Sequence, residues 1–438
     1  MNTSTPWSAH ARCDILVIGA GPAGMAAALA AAPSGAAITI VDDNPEAGGQ
    51  IWRDGPGATL PPLARQYREA LARHANINLL RGTRVVGLGD APLAGDAPTL
   101  LLEDAERGWA QHSHRLVLCN GARELLLPFP GWTLPGVTGA GALQALVKAG
   151  LPVQGQRIVV AGTGPLLLAA AATAAKAGAQ VVRVAEQAGW RALAGFAAQL
   201  PRWPAKAVQA LTLLHPQLRA GSHVREAMGD GQVQSVRLRT ASGEETIACD
   251  RLACGFGLVP NTHLGQLLGC ALGGPLSGGL GLWVDAQMRT SVAGVYAAGE
   301  CTGFGGSERA LAQGALAGHA AAGDTKPVHA LQATLRRWEG FARALQHSFA
   351  LDDGLKALPR PDTLVCRCED VPHAELAGRS SWIDAKLHTR CGMGACQGRI
   401  CGAATQQLFG WTPAPPRHLL APARIATLAM VADRPPPG

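Results

Sequence analysis

An apolar strand that runs into a glycine turn and then an Ala-rich helix occurs twice in this chain, and no other feature limits the fold so strongly. In the first copy Ile15-Leu16-Val17-Ile18 enters Gly19-Ala20-Gly21-Pro22-Ala23-Gly24, and the helix runs on to Ala32. Glycines at this spacing have separate tasks. The first permits the tight turn, the second lets a pyrophosphate approach the backbone, and the third lets helix and strand pack closely, with the phosphate on the helix N-terminus. Gly19, Gly21, Pro22, Ala23 and Gly24 are therefore candidate cofactor contacts. The next strand, Ile38 to Val41, ends in Asp42 and Asp43, the spacing expected for a carboxylate on ribose hydroxyls.

In the second copy a strand from Ile158 to Ala161 leads into Gly162-Thr163-Gly164-Pro165-Leu166-Leu167, a long Ala-rich helix, and a strand from Val181 to Ala185 that ends at Glu186. Gly162, Gly164 and Glu186 are the candidate contacts for a nicotinamide dinucleotide. A glutamate there favours NAD over NADP, because a carboxylate repels a 2′-phosphate. Leu167 replaces the third glycine, which works against close helix packing and against occupancy. A purely structural turn is the alternative.

Two such units predict an α/β fold with doubly wound sheets, and the scarcity of aromatics and charge in a Gly- and Ala-rich chain agrees with it. At 438 residues there is room for about two or three domains. The order of motifs predicts a discontinuous first nucleotide domain over 13–125 and 283–326, with a second inserted at 126–282. A helical linker follows at 327–360, then a Cys-rich module at 361–405 and a Pro-rich remainder at 406–438 with little structure of its own. Residues 1–12 read as a loose tail. In the linker, Leu331, Leu335, Trp338, Ala342 and Leu345 recur at helical spacing, as in a packing helix that bridges domains.

The net charge of +7 is spread along the chain without a Lys/Arg block, which gives nucleic-acid binding no support and leaves an ordinary surface biased toward acidic small molecules or an acidic partner. The first apolar run is already the nucleotide-binding strand, so no signal peptide is read, and Gly and Pro interrupt every stretch that could span a membrane. Eleven unevenly placed cysteines do not suggest a secreted disulfide framework. A cytoplasmic location fits best, with attachment to the inner membrane through partners as an alternative.

Five of those cysteines lie close together, as Cys366-Arg367-Cys368 and then Cys391, Cys396 and Cys401 in a Gly-rich stretch. A [2Fe-2S] centre needs four thiolates, which a CxC pair and a CxxxxC pair can supply, while glycines free backbone N–H groups for the sulfurs. Structural zinc is the rival, although zinc modules favour CxxC, and inert thiols are the bland reading. The expected ligands are Cys366, Cys368, Cys391 and Cys396; Cys401 is an alternative to Cys391 because both lie at the same spacing from Cys396. Cys249 and Cys254 flank a strand and read as buried thiols. The histidines show no metal-ligand spacing.

Val17 to Gly24, Gly48-Gly49-Gln50, Asn120-Gly121-Ala122 and Tyr296-Ala297-Ala298-Gly299-Glu300 together resemble the two-dinucleotide-domain flavoproteins of the glutathione-reductase type. The resemblance implies FAD, and adds Gly49, Gln50, Val85, Gly121, Gly299 and Glu300 to the candidate contacts. Glu300 stands where that family usually has Asp. Disulfide reductases of this fold keep a cysteine pair beside the flavin, whereas here Ile51-Trp52-Arg53-Asp54 follows the Gly-Gly turn and no CxxC occurs. The Cys-rich module, with Val365-Cys366-Arg367-Cys368-Glu369-Asp370-Val371 and Thr389 to Cys401, resembles the C-terminal domain of FAD-binding subunits of opine oxidases, hydrogen cyanide synthase and dye-linked proline or hydroxyproline dehydrogenases. Pro130 to Val137 fits the same family.

That resemblance implies an FAD-dependent oxidoreductase subunit that relays electrons from amine oxidation. The amine would be oxidised on a partner of the glycine- or D-amino-acid-oxidase type, and a small ferredoxin-like subunit is a further partner. Two alternatives stand beside it: a self-sufficient NAD(P)H-dependent flavoprotein reductase, and a non-catalytic electron-carrier or scaffold subunit.

Overall fold

The computed structural model describes residues 11–89, 94–273, 280–324 and 328–432, so the expected tail up to residue 10, the segment boundaries at 325–327 and the last residues, 433–438, lie outside the described residues. The first sheet is built from β1 (Ala11–Ile18), β2 (Ile38–Val41), β3 (Ile77–Leu80), β4 (Arg84–Leu88), β5 (Leu100–Glu103) and β6 (Gly108–Leu118), in the order β3-β2-β1-β6-β5-β4. Its β3-β2-β1-β6 half is parallel, and β4, β5 and β6 form an antiparallel meander. Every residue of β2 is buried, as expected of a short apolar run covered on both faces. A strand at Val295–Ala297 returns to pair with β6, and so delivers Gly299 and Glu300 to the end of the sheet where Gly19 and Gly21 lie.

Helix α1 (Pro22–Ala31) rests on a later helix at Gly306–Ala321 through bare backbone. A Cβ on Gly314 would stand 2.1 Å from the Ala23 carbonyl oxygen, and one on Gly318 at the same distance from that of Ala27. Small residues in both helices therefore set this crossing.

The second sheet holds β7 (Val137–Gly139), β8 (Arg157–Gly162), β9 (Gln180–Glu186), β10 (Leu218–Ala220) and β11 (Arg251–Gly255), all parallel, in the order β10-β9-β8-β11-β7. Leu167 is buried in the core between sheet and helix with Ala140, Ala170 and Ala253. Filling that core is a structural role for the residue that replaces the third glycine. Cys249 and Cys254 are buried free thiols.

The linker forms one helix, Val328–Ser348. Leu335 joins the apolar core of the first sheet, while Phe341 and Ala344 pack with Phe196 and Trp203 of the second unit. The module around the clustered cysteines has its own small core of Val365, Val371, Leu376, Trp382 and Trp411.

Two expectations are corrected. Ala11 and Arg12 belong to β1 and pair with Gln111 and His112, so the chain is ordered into the sheet before Cys13. In the Pro-rich remainder, Ile425–Ala432 is helical and docks on the first sheet. The Thr427 hydroxyl donates to Glu103 Oε2 at 2.6 Å and the Arg424 N–H to the same atom at 2.9 Å, which satisfies a buried carboxylate. Composition shows the prolines but not the carboxylate that recruits this segment.

Candidate functional site

The first glycine turn lies open between backbone segments. Gly19 has φ +104° and lies so close to Cys119 that a Cβ would stand 2.4 Å from its carbonyl oxygen, and a Cβ on Gly24 would stand 1.8 Å from that of Gly19. Gly21 differs: its nearest neighbour in the Cβ direction is Gly49 Cα at 3.9 Å. The Gly48-Gly49 turn is tied to it by the Gly48 N–H, which donates to the Ala20 carbonyl at 2.8 Å. Two side-chain-free turns thus face each other, a form that lets a pyrophosphate reach backbone N–H groups.

Asp42 is buried, and its Oδ2 accepts the Ala20 N–H at 2.6 Å while Oδ1 accepts the Asn44 N–H at 2.8 Å. It therefore braces the turn, while Asp43 beside it is exposed. Val85 packs in the apolar core under the sheet, two residues after Thr83, whose N–H bonds the Asp42 carbonyl. Gln50 is exposed and accepts from Arg53 Nη2 at 3.0 Å. Gly121 has φ +64°, and its carbonyl accepts the Asn261 N–H.

Gly299 is held by Gln313, whose Oε1 accepts its N–H at 2.9 Å. Burial raises the pKa of the neighbouring Glu300 carboxyl, with the Arg309 guanidinium opposing. Arg53 Nε, Asn120 Oδ1 and Arg309 Nε are buried without hydrogen-bond partners. Each belongs to a segment that borders the cleft, and orphaned polar atoms at such a place fit a polar ligand such as the ribityl-pyrophosphate of FAD. Cys119 and Cys301 also lie here, but burial raises both thiols, Cys301 to about 12, so neither is the poised thiolate a disulfide reductase needs.

The second glycine turn is covered. Phe349, just beyond the linker helix, places its ring 4.0 Å from where a Cβ on Gly164 would be. The Thr163 hydroxyl donates to the Phe349 carbonyl at 3.2 Å, Gln187 Nε2 donates to that of Ala350 at 2.6 Å, and the Asp352 N–H donates to Gln187 Oε1 at 3.1 Å. The Glu186 carboxylate accepts the Gly164 and Ala188 N–H groups at 2.7 and 2.8 Å, and burial pushes its pKa up to about 7.

Three of the five clustered cysteines meet in one place, while Cys368 and Cys396 face each other beside them. The sulfurs of Cys366, Cys391 and Cys401 lie within 4.8 Å of one another, all buried. The Cys391 and Cys401 thiols donate to Cys366, which pulls Cys366 strongly down and raises its two donors. The backbone N–H groups of Gly392 and Glu369 also point at the Cys366 sulfur, and the Cys396 N–H points at the exposed Cys368. A Cβ on Gly394 would stand 2.2 Å from Cys368 Cβ, so the loop closes over Cys368 only with glycine there. Clustered soft donors that receive backbone N–H groups fit an iron-sulfur centre. Of the expected Cys366, Cys368, Cys391 and Cys396, the structure groups Cys366 and Cys391 with Cys401, which spacing alone could not separate from Cys391, and leaves Cys368 and Cys396 outside the buried trio.

Two glycine turns on two sheets, the first open to a dinucleotide, define a flavin-dependent oxidoreductase of the two-dinucleotide-domain class. A match to the pyridine nucleotide-disulphide oxidoreductase family spans residues 13–322. An opine oxidase subunit from Rhizobium meliloti is 32% identical over 433 residues, which cover 91% of this chain and 92% of that protein. Hydrogen cyanide synthase subunit HcnB of Pseudomonas protegens is 32% identical over 427 residues, covering 88% and 89%. Among solved structures, L-proline dehydrogenase from P. horikoshii shares the fold, with a TM-score of 0.66 at 17% identity over 96% of this chain and 80% of that one. The chain belongs to the pyridine nucleotide-disulphide oxidoreductase family, in the group that includes this opine oxidase subunit together with HcnB.

Proposed function

We propose that this chain is the electron-relaying subunit of a heteromeric amine dehydrogenase or oxidase, acting on an amino acid, imino acid or opine. FAD, held by Gly19 to Gly24, Gly49, Gly121, Gly299 and Glu300, would supply two-electron acceptance and single-electron release. A [2Fe-2S] centre on four of the five clustered cysteines would pass electrons on one at a time. Oxidation of the C–N bond belongs to a partner flavoprotein of the glycine- or D-amino-acid-oxidase type. Relatives named as subunits of an oxidase and a synthase support a heteromer.

The observation that carries this reading is the thiol centre itself: Cys366, Cys391 and Cys401 buried with their sulfurs within 4.8 Å of one another, and Cys368 and Cys396 paired beside them. The rival reading, an NADH-dependent reductase, needs a second turn open to a dinucleotide, and Phe349 to Asp352 lie across it. Anaerobic purification tests the proposal. About two irons and two acid-labile sulfides per chain, together with bound FAD, are expected. Tightly bound zinc without iron or sulfide overturns it.

A further inference from the structure

We propose that Arg123 and Arg399 form a positive seam between the flavin turn and the thiol centre, one that pins the two together and raises the reduction potential of the centre. The inference rests on the iron-sulfur reading above and deepens it.

Arg123 belongs to a short strand, Ala122–Glu124, immediately after the Asn120-Gly121 turn. Its Nε donates to the carbonyl of Arg399 at 2.9 Å, inside the loop between Cys396 and Cys401. Its Nη1 donates to Asn261 Oδ1 at 3.0 Å and to the Pro260 carbonyl at 3.3 Å. Asn261 in turn donates from Nδ2 to the Asn120 carbonyl at 3.0 Å. One guanidinium therefore ties the cysteine loop directly to the turn proposed to face the flavin. Arg399 braces the loop from within, with Nη1 donating to the Cys396 carbonyl at 3.3 Å and Nη2 to the Leu420 carbonyl.

The charges in this seam are unbalanced. Those that act on Arg123 come from Arg399 and Cys396, with no carboxylate among them. Glu124, next in sequence, has its carboxylate taken by the Gly141 and Ala142 N–H groups. Burial lowers Arg123 to about 10, which still leaves it cationic at neutral pH. His263 shares the seam, and burial followed by the two arginines pushes it down to about 4, so it adds no charge. Two half-buried cations, with no acid among the groups that act on Arg123, are costly unless a negative group faces them. The group on their far side is the cysteine loop, and a centre of thiolates and sulfides carries net negative charge that grows by one on reduction.

A [2Fe-2S] centre held by these cysteines would take single electrons from the reduced flavin, whose protons would leave to solvent, and would pass each electron to an external one-electron carrier. A fixed positive charge in this half-buried seam would lower the cost of the added negative charge. Arg123 is thus a positioning residue with an electrostatic role, not a catalytic one.

The test is potentiometric titration of the whole chain, purified anaerobically with its centre loaded and followed by the spectrum of the reduced centre. Arg123→Gln should shift the reduction equilibrium about tenfold toward the oxidised form, 59 mV for a one-electron couple. Arg123→Lys should recover most of that shift, and FAD content should match wild type in both. Arg399→Gln should move the potential in the same direction, and carries the test if Arg123→Gln fails to load iron. Loaded variants with wild-type potential overturn the proposal and leave the relay reading intact. Wild-type protein without iron and sulfide overturns both.

Discussion

Gly21 shows how one missing side chain can define a site. A Cβ there meets nothing closer than Gly49 Cα at 3.9 Å, so a larger residue would fit the folded protein but fill the gap between the two glycine turns. Gly21→Val should therefore give a folded, colourless protein that cannot be reconstituted with FAD, read from its absorbance and thermal melt. Gly24→Val should fail earlier, in folding, because its Cβ would lie 1.8 Å from the Gly19 carbonyl oxygen. At the thiol centre the choice between Cys391 and Cys401 rests on position. Both thiols are raised as they donate to Cys366, but Cys401 opens the helix Cys401–Phe409, whose N-terminus would favour its thiolate once a metal takes the proton's place, whereas Cys391 follows the C-terminal end of the helix Trp382–Thr389. Cys401→Ser should lose the iron, as should the Ser variants of Cys366, Cys368 and Cys396. Cys391→Ser should keep most of it, by iron and sulfide analysis. Iron retained in Cys401→Ser and lost in Cys391→Ser would reverse the assignment.

Among the elements, the second glycine turn departs furthest from what its sequence announces. Its carboxylate caps backbone N–H groups from a buried position, and that has a pH signature. The Glu186 pKa is raised to about 7 from the ordinary carboxylate range near 4.5, so the folded state favours the protonated form. The resulting stability is full at acid pH and is lost as pH rises through about 7, a change on the order of 3 kcal/mol. Stability measured by denaturant between pH 5 and pH 8 should fall for wild type, and Glu186→Gln should flatten that slope. An unchanged slope would mean that the carboxylate is not the titrating group. Both glycine turns are legible in the sequence because glycine spacing after a strand is a local signal. The cover is not: Thr163 and Phe349 are 186 residues apart, and the linker sequence declares only an amphipathic helix. The helix Ile425–Ala432 escapes for the same reason, since its binding depends on Glu103 far back in the first sheet. The five cysteines are legible as a group, but equal spacings on both sides of Cys396 hide that Cys401 lies with Cys366 and Cys391.

Across the described residues, the molecule has one open glycine turn, one covered turn, and a group of thiols bonded to the first through Arg123. In the proposed relay electrons would leave by the centre, where Cys368 is exposed, and among the described residues neither of the usual ways in is present. The cysteines beside the flavin segments are buried and held protonated, and the second turn is crossed by Phe349 to Asp352. The proposed relay therefore takes its input across a surface, from a partner that oxidises the amine. Purified alone, the chain should neither oxidise amino acids or opines at ordinary enzyme rates nor have its flavin bleached by NADH under anaerobic conditions. Co-expression with an oxidase-like partner should restore dye reduction by the amine, and chemical reduction of the flavin should reduce the centre without any partner. Rapid bleaching by NADH would show that residues 349–352 yield to a dinucleotide and would favour the reductase. Amine turnover by the chain alone would place the C–N chemistry here and remove the need for a second subunit.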